Sequence, residues 1–459
     1  MINILDLHNK LINKDITAKE ITEQCINKIE RYDTLTNSII LKTYDFALNK
    51  AKEVDRKIEK KEDISIIAGI PFGVKDNLET KGVTTTAGSL FYEKYKPEET
   101  ARCVTNLLHN DGVMLGKLNL DEFGVGDITK SFKYLSKNPY NLNYDASGSS
   151  GGSSIFVSAG FGAYSIGTDT GGSIREPAGK TGVVGIKPTY NCISKKNCYG
   201  YANSLDTIGS IATNVTDLAI SMEFLTKYDE SDKNLNYVDY TDAYKKIQVS
   251  HREKIRIGVL KEVCEFEGKK DEEAKGYFDF VTELKKSDAF EVVEVSFPLI
   301  KITTALYRVI TAIEGYEQFT GTLKKYHNVE DIPSKSLLFD KRVRQRILMG
   351  EYYKTNEPEI IDKAYNTLKE LREDYQKLLK DMDFLLTPLT SFKRSQNFVT
   401  IGNFTMCPSV ALPIGVKSDK VPFGVQIFGK YKEDVELLKF AYILEKFIGF
   451  KERPTFDFY

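Results

Sequence analysis

Histidine is scarce in this chain of 459 residues: four in all, His8, His109, His251 and His327, none of them set in a recognisable motif. A serine–histidine–aspartate triad needs an imidazole beside its nucleophile, so the sequence argues against that route to an activated serine. Cysteine is sparse too. Cys25, Cys103, Cys192, Cys198, Cys264 and Cys407 form no C-x-x-C pair and have no flanking histidine ligand pattern. A reduced, cytosolic protein without a structural metal is expected, and a zinc or disulfide half-site at Cys192 and Cys198 is the minor alternative. No long apolar run is present: the N-terminus reads as an amphipathic helix, so neither a signal peptide nor a membrane span is expected. Charge nearly cancels, 64 basic against 65 acidic residues, which leaves no basic field to hold nucleic acid. Lysine runs such as 57–61 read as solvated helix faces. There is no proline- or serine-rich linker either, and the 41% hydrophobic content suffices for a substantial core, so one compact unit is expected despite the length.

What is abundant is glycine and serine in one block. Between Asp145 and Tyr190 the chain reads DASGSSGGSSIFVSAGFGAYSIGTDTGGSIREPAGKTGVVGIKPTY. Two clusters, Ser147 to Ser154 and Gly171 to Ser173, flank an apolar run, and Val183-Val-Gly-Ile186 follows closely. Such clusters are commonly linkers, but a linker separates polar surroundings, whereas these lie between segments expected to be buried. Glycine lets backbone N–H groups converge on a developing oxyanion, and serine supplies a nucleophile or proton relay. Upstream, Lys75 ends the apolar run Ile66-Ile-Ala-Gly-Ile-Pro-Phe-Gly-Val74. Burial disfavours its ammonium form and makes it a candidate base; the plainer alternative is a strand-end lysine snorkelling to water.

These residues resemble the amidase signature family, whose members cleave amides with a Ser-cisSer-Lys triad. The string GTDTGGSIREPAGKTGVVGIKPTY carries the resemblance. It implies Ser173 as nucleophile, Ser149 as the serine of a cis peptide bond, 24 residues earlier as in the family, and Lys75 as base. It further implies that Ser150 completes the relay, that the amides of Thr170, Gly171, Gly172 and Ser173 form the oxyanion hole, and that Asp169 and Arg175 brace that loop. No metal and no cofactor is implied for this chain. Ser147 and Glu176 depart from the usual Gly and Gln.

The resemblance covers nearly the whole chain. The segments at Leu5, Leu118 to Gly126, Tyr201 to Gly209, Arg342 to Tyr352 and Asp383 to Pro388 are similar to the A subunit of glutamyl-tRNA(Gln) amidotransferases. That group implies hydrolysis of glutamine, two partner subunits B and C, and ammonia passed to a partner that uses ATP and Mg2+ to amidate mischarged Glu-tRNA(Gln) or Asp-tRNA(Asn) in the cytoplasm. It also implies that Arg346 holds the glutamine carboxylate, a role that suits a bidentate guanidinium, although a solvated helix charge is the alternative. The acid expected for the α-amino group, just before Val399, is missing, because residues 394–398 read RSQNF. Three options follow: Gln396 or Asn397 substitutes, an acid from elsewhere serves, or the substrate is not a free α-amino acid. Tyr307 is a weaker pocket candidate. A free-standing amidase acting on small aliphatic or aryl amides is the competing function.

Alternating periodicities predict helices over 16–32, 41–60 and 271–286, with Thr17 capping the first, and strands over 66–74, 255–260, 290–297 and 421–428. Residues 204–226 read as a turn and an amphipathic helix, and 229–252 as a surface connection. The expected fold is α/β: one amidase-signature domain over 1–459, with a large mixed twisted sheet covered by helices on both faces. Within it, helices to about 62, a catalytic core over 63–225 and a pocket-forming part over 226–459 are anticipated.

Overall fold

The computed structural model describes residues 2–227, 232–249, 254–264, 271–327, 339–390 and 397–454. Its strands are β1 (Ile39–Lys42), β2 (Pro71–Lys75), β3 (Val113–Leu118), β4 (Lys137–Asn138), β5 (Asn141–Asp145), β6 (Tyr164–Asp169), β7 (Val184–Lys187), β8 (Thr207–Ala212), β9 (Ile255–Leu260), β10 (Phe290–Val295), β11 (Phe384–Pro388), β12 (Ser409–Val416) and β13 (Pro422–Phe428). Eleven of them form one sheet, in the order β1-β3-β2-β6-β8-β7-β12-β13-β11-β9-β10, while β4 and β5 pair separately. Strands β3, β2 and β6 run parallel near one edge, as do β11, β9 and β10 at the other. Antiparallel pairs join the two groups.

Side chains alternate between faces along a strand. On β7, a Cβ at Gly185 would meet Ala178 and Ile174, whereas Val184 lines a cleft with Glu445 and Ile448 at the helix Asp434–Ile448. Helices therefore lie on both faces of the mixed sheet, as expected. Burial on both sides explains why β2, β3, β6 and β8 are buried at every position and are read poorly by a two-residue alternation.

Local signals set several elements. The helix Ala18–Thr36 begins at Thr17, whose hydroxyl accepts the Glu20 amide while the Glu20 carboxylate accepts the Thr17 amide. Asp271 caps Glu272–Lys286 through the amides of Glu273 and Ala274. The strand expected over 421–428 is β13, inside the sheet. Several expectations need correction. The strand predicted from 66 begins only at Pro71, because residues 66–69 form turns. The helix predicted from 41 starts at Tyr44, because Ile39–Lys42 pairs with β3 as an edge strand. The turn predicted after 204 contains β8, whose Thr-Ile-Gly-Ser-Ile-Ala sequence is covered on both faces and shows no alternation. The helix after it, Val215–Leu225, is buried almost all round rather than amphipathic.

Two features position the site. Strands β2 and β6 are adjacent and parallel, so their carboxyl ends, Lys75 and Asp169, lie at the same edge of the sheet, where open α/β sheets bind ligands. Between them in sequence runs the helix Gly151–Ser158, preceded by the Gly148–Ser149 peptide, which is cis.

Candidate active site

The end of β2 delivers a lysine with no exposed surface. Lys75 Nζ lies 2.8 Å from the hydroxyls of Ser149, Ser150 and Thr168, and 3.3 Å from the Thr168 carbonyl oxygen. Burial pulls its pKa from 10.5 down to about 8, against the opposing pull of Asp121, Cys198, Asp169 and Asp206. The snorkelling alternative is thereby corrected: the side chain ends among hydroxyls, not in water. Ser150 anchors the other side of the cluster. Its hydroxyl donates to the Thr168 carbonyl at 3.0 Å, and its amide donates to the carbonyl of Ser173 at 3.0 Å. Through that amide the backbone of Ser173 is tied to the serine pair that Lys75 holds.

Ser173 sits in the tight turn that joins β6 to the helix Arg175–Lys180. Asp169 organises that turn: its carboxylate accepts the Gly172 amide at 2.8 Å and the Ile174 amide at 3.1 Å. It also receives Arg175 through Nε at 3.1 Å and Nη2 at 3.0 Å. Burial alone would raise the Asp169 pKa, but the Arg175 guanidinium and these donors hold it well below the usual carboxylate range. Arg175 has no exposed surface and spends its remaining donors on the Val399 carbonyl, Gln426 and Asn403. Because the Gly172 amide is taken by Asp169, the amides with no partner among the described residues are those of Thr170, Gly171 and Ser173.

Both turn glycines are needed as glycines. Gly172 has φ +114°, and a Cβ there would overlap Val399. At Gly171 a Cβ would stand 2.6 Å from the Tyr307 ring. Tyr307 thus reaches the site from the helix Thr303–His327 and is only partly buried, a stronger placement than its sequence context suggests. Ser147 has φ +64°, the left-handed region where glycine is the favoured residue. Arg346, on the helix Lys341–Asn356, is half-buried and donates through Nε to the Tyr201 hydroxyl at 2.6 Å; it is not a solvated helix charge. The basic neighbour that pairs with a buried acid is Arg342, 2.9 Å from Asp121, whose carboxylate also accepts the amides of Thr129 and Lys130. Gln396 lies outside the described residues. Asn397 donates its amide to Thr303.

A cavity of about 160 Å3 adjoins Lys75, lined by Asn77, Thr168, Thr170, Tyr201, Asp206 and Gln318 among others. Asp206 is fully committed there, accepting the Thr170 hydroxyl at 2.6 Å and the amides of Tyr201 and Ala202 at 2.7 and 3.0 Å. Thr168, Asn77, Asp206 and Asn403 carry no role in the sequence reading, although Thr168 lies in the glycine-serine block and Asp206 in the segment Tyr201 to Gly209. Among the described residues no three His, Cys, Asp or Glu side chains gather as a metal site requires. Cys25, Cys103, Cys192, Cys198 and Cys407 are unbridged. No helix among the described residues is long and apolar enough to cross a membrane.

A buried lysine of lowered pKa, bonded to a serine pair and set beside a glycine turn with free amides, has the parts for acyl transfer through a serine ester. Comparison with known proteins agrees with that chemistry. The amidase family model matches residues 20–438. The A subunit of the Thermoanaerobacter pseudethanolicus glutamyl-tRNA(Gln) amidotransferase is 32% identical over 99% of this chain and 98% of its own length. Its namesake from Prochlorococcus marinus is 33% identical over 98% and 99%. Among solved structures, the corresponding protein from Thermotoga maritima superposes with a TM-score of 0.76 at 28% identity, covering 95% of this chain and 94% of that one. A structure described as an amidase superposes with a TM-score of 0.82 at 25% identity, covering 97% and 99%. Matched along nearly its whole length by sequence and by fold, the chain belongs to the amidase family.

Proposed function

We propose that this chain is the glutamine-hydrolysing subunit of a tRNA-dependent amidotransferase and that residues 1–459 act as one amidase-signature domain. The observation that carries the reading is the bonding of Lys75 Nζ to Ser149 in a chain matched end to end by proteins of that name. In this mechanism the neutral Lys75 amine takes the Ser149 proton as Ser149 takes that of Ser173. The Ser173 oxygen then attacks the side-chain amide carbon of glutamine. The oxyanion is held by the amides of Thr170, Gly171 and Ser173, while Gly172 keeps the turn in shape through Asp169. The proton returns along the relay to the leaving nitrogen, and ammonia departs from a γ-glutamyl ester on Ser173. Water, deprotonated through the same hydroxyls, releases glutamate. Each oxyanion donor is worth ~10²–10³ in turnover. Arg346, with Tyr307 between it and Gly171, receives the substrate carboxylate.

In the same reading the ammonia is consumed in the cytoplasm by a partner that uses ATP and Mg2+ on Glu-tRNA(Gln) or Asp-tRNA(Asn). Two partner subunits, B and C, complete the enzyme. With a net charge of −1 this chain leaves most tRNA contact to them. A free-standing amidase is the second reading, favoured by the higher TM-score to the amidase structure, 0.82 against 0.76. The deciding experiment is ammonia release from glutamine, asparagine and simple amides, by the chain alone and with subunits B and C, against a Ser173→Ala blank. Glutamine-selective release that rises with the partners supports the first reading; efficient hydrolysis of simple amides by the chain alone, with glutamine poor, overturns it.

A further inference from the structure

Glutamine carries an ammonium as well as a carboxylate on its α-carbon, and the stretch before Val399 supplies no acid to receive it. Three buried carboxylates near the Ser173 turn are already spent. Asp169 holds Arg175 and Asn403, Asp206 holds Thr170 and two amides, and Asp121 holds Arg342 and two amides. Glu176, in the first turn of the helix Arg175–Lys180, differs: it is half-buried, and its carboxylate makes no hydrogen bond or ion pair among the described residues.

Its placement is specific. The Glu176 amide donates to the Gly172 carbonyl at 2.9 Å, and its Cγ would lie 3.4 Å from a Cβ on Gly172. The neighbouring glycine, Gly171, faces the Tyr307 ring instead, and Tyr307 together with Tyr201 lies in the field of the Arg346 guanidinium. Gly171 and Gly172 are adjacent, so Tyr307, in the field of Arg346, and Glu176 flank neighbouring residues of the turn that carries Ser173. An α-amino acid presents a carboxylate and an ammonium on a single carbon, so it calls for a cation and an acid around one turn of backbone.

Resting on the glutaminase reading, we infer that Glu176 is a specificity-determining residue whose carboxylate receives the α-ammonium of the substrate. The charges that face it fit this use. Burial lifts its pKa to about 7, Lys180 and Arg175 draw it down, and Asp169 and Asp127 push it up. Glu176 is therefore a carboxyl at the edge of ionisation, which a bound ammonium would draw into its charged form.

The test compares kcat/KM for glutamine with that for 4-carbamoylbutanoate, the same molecule without the α-amino group, using the full chain with subunits B and C. Glu176→Gln should lower the ratio of the two about tenfold or more, with the change carried by KM for glutamine, as expected for loss of a charge-assisted bond. Glu176→Asp, which keeps the charge on a shorter arm, should recover part of the ratio and guards against a Gln variant that fails to fold. A ratio unchanged within about twofold in both variants, while the wild type hydrolyses glutamine, overturns the inference and leaves the glutaminase reading standing. A wild type that cleaves 4-carbamoylbutanoate and ignores glutamine overturns both.

Discussion

The lowered pKa of Lys75 makes a quantitative demand on the pH profile. With its pKa drawn from 10.5 to about 8 by burial, the lysine is neutral in about one molecule in ten at pH 7, against about one in 3,000 for an unperturbed group. Burial thus raises the fraction of competent base by about 300-fold at neutral pH. With glutamine saturating, kcat should rise about tenfold per pH unit below 8 and level off above it, since deprotonation creates the active form. Stability should carry the same signature with a defined sign. The folded lysine releases its proton near pH 8 and the unfolded one near 10.5, so in that window the unfolded chain binds more protons and stability grows with pH. The full cost, about 3 kcal/mol, applies below pH 8 and is gone above 10.5. Chemical denaturation at several pH values, taken as wild type minus Lys75→Met, isolates this contribution. A flat kcat between pH 6 and 8, a midpoint above 10, or a Lys75→Met variant that keeps more than about a tenth of wild-type turnover would refute the reasoning.

Three further outcomes follow from the site and its support. Ser149→Ala should reduce kcat by ~10²–10⁴ because the relay is cut, while Lys75 keeps Ser150 and Thr168 and the melting temperature hardly moves; calorimetry and a turnover assay check this. Gly172→Ala places a side chain at φ +114° against Val399, so denaturation should report a loss of about 1–3 kcal/mol, with turnover lost beyond that because the turn carries the oxyanion donors. Burial raises the Asp217 carboxyl to about 7 although the Ile4 amide donates to it, so the folded protein keeps a proton that the unfolded chain has lost. Its stabilising share is complete below about pH 4 and vanishes as pH climbs through 7, so the melting temperature should fall over that range, less steeply in Asp217→Asn.

Much of the site is legible in sequence because its chemistry sits in short local strings. Lys75 closes an apolar run, and Ser149, Ser150 and Ser173 lie in glycine-serine clusters whose backbone freedom is written in the residue types. Thr168 is invisible by that route: it is one of several small residues in a buried strand, and only the pairing of β6 with β2 brings its hydroxyl to Lys75. Asn403 and Gln426 reach Arg175 from elements more than 200 residues away. The arginine run at 342–346 cannot be sorted by composition. The fold gives Arg342 to Asp121 and Arg346 to Tyr201, because the two lie one turn apart along one helix and meet different neighbours. Among the elements, β8 escapes notice because both its faces are buried, whereas β9 and the helix Glu272–Lys286 announce themselves by an apolar run and a capping aspartate.

The central claim is that Ser173, activated through Ser149 by Lys75, forms the ester. Acid quench of the wild-type enzyme during glutamine turnover, followed by peptide mass spectrometry, measures this directly. One γ-glutamyl group on the peptide bearing Ser173, absent from Ser173→Ala and still trapped at low level in Ser149→Ala, is the expected result. An adduct on Ser149 or Ser150, or on Lys75, would contradict the account.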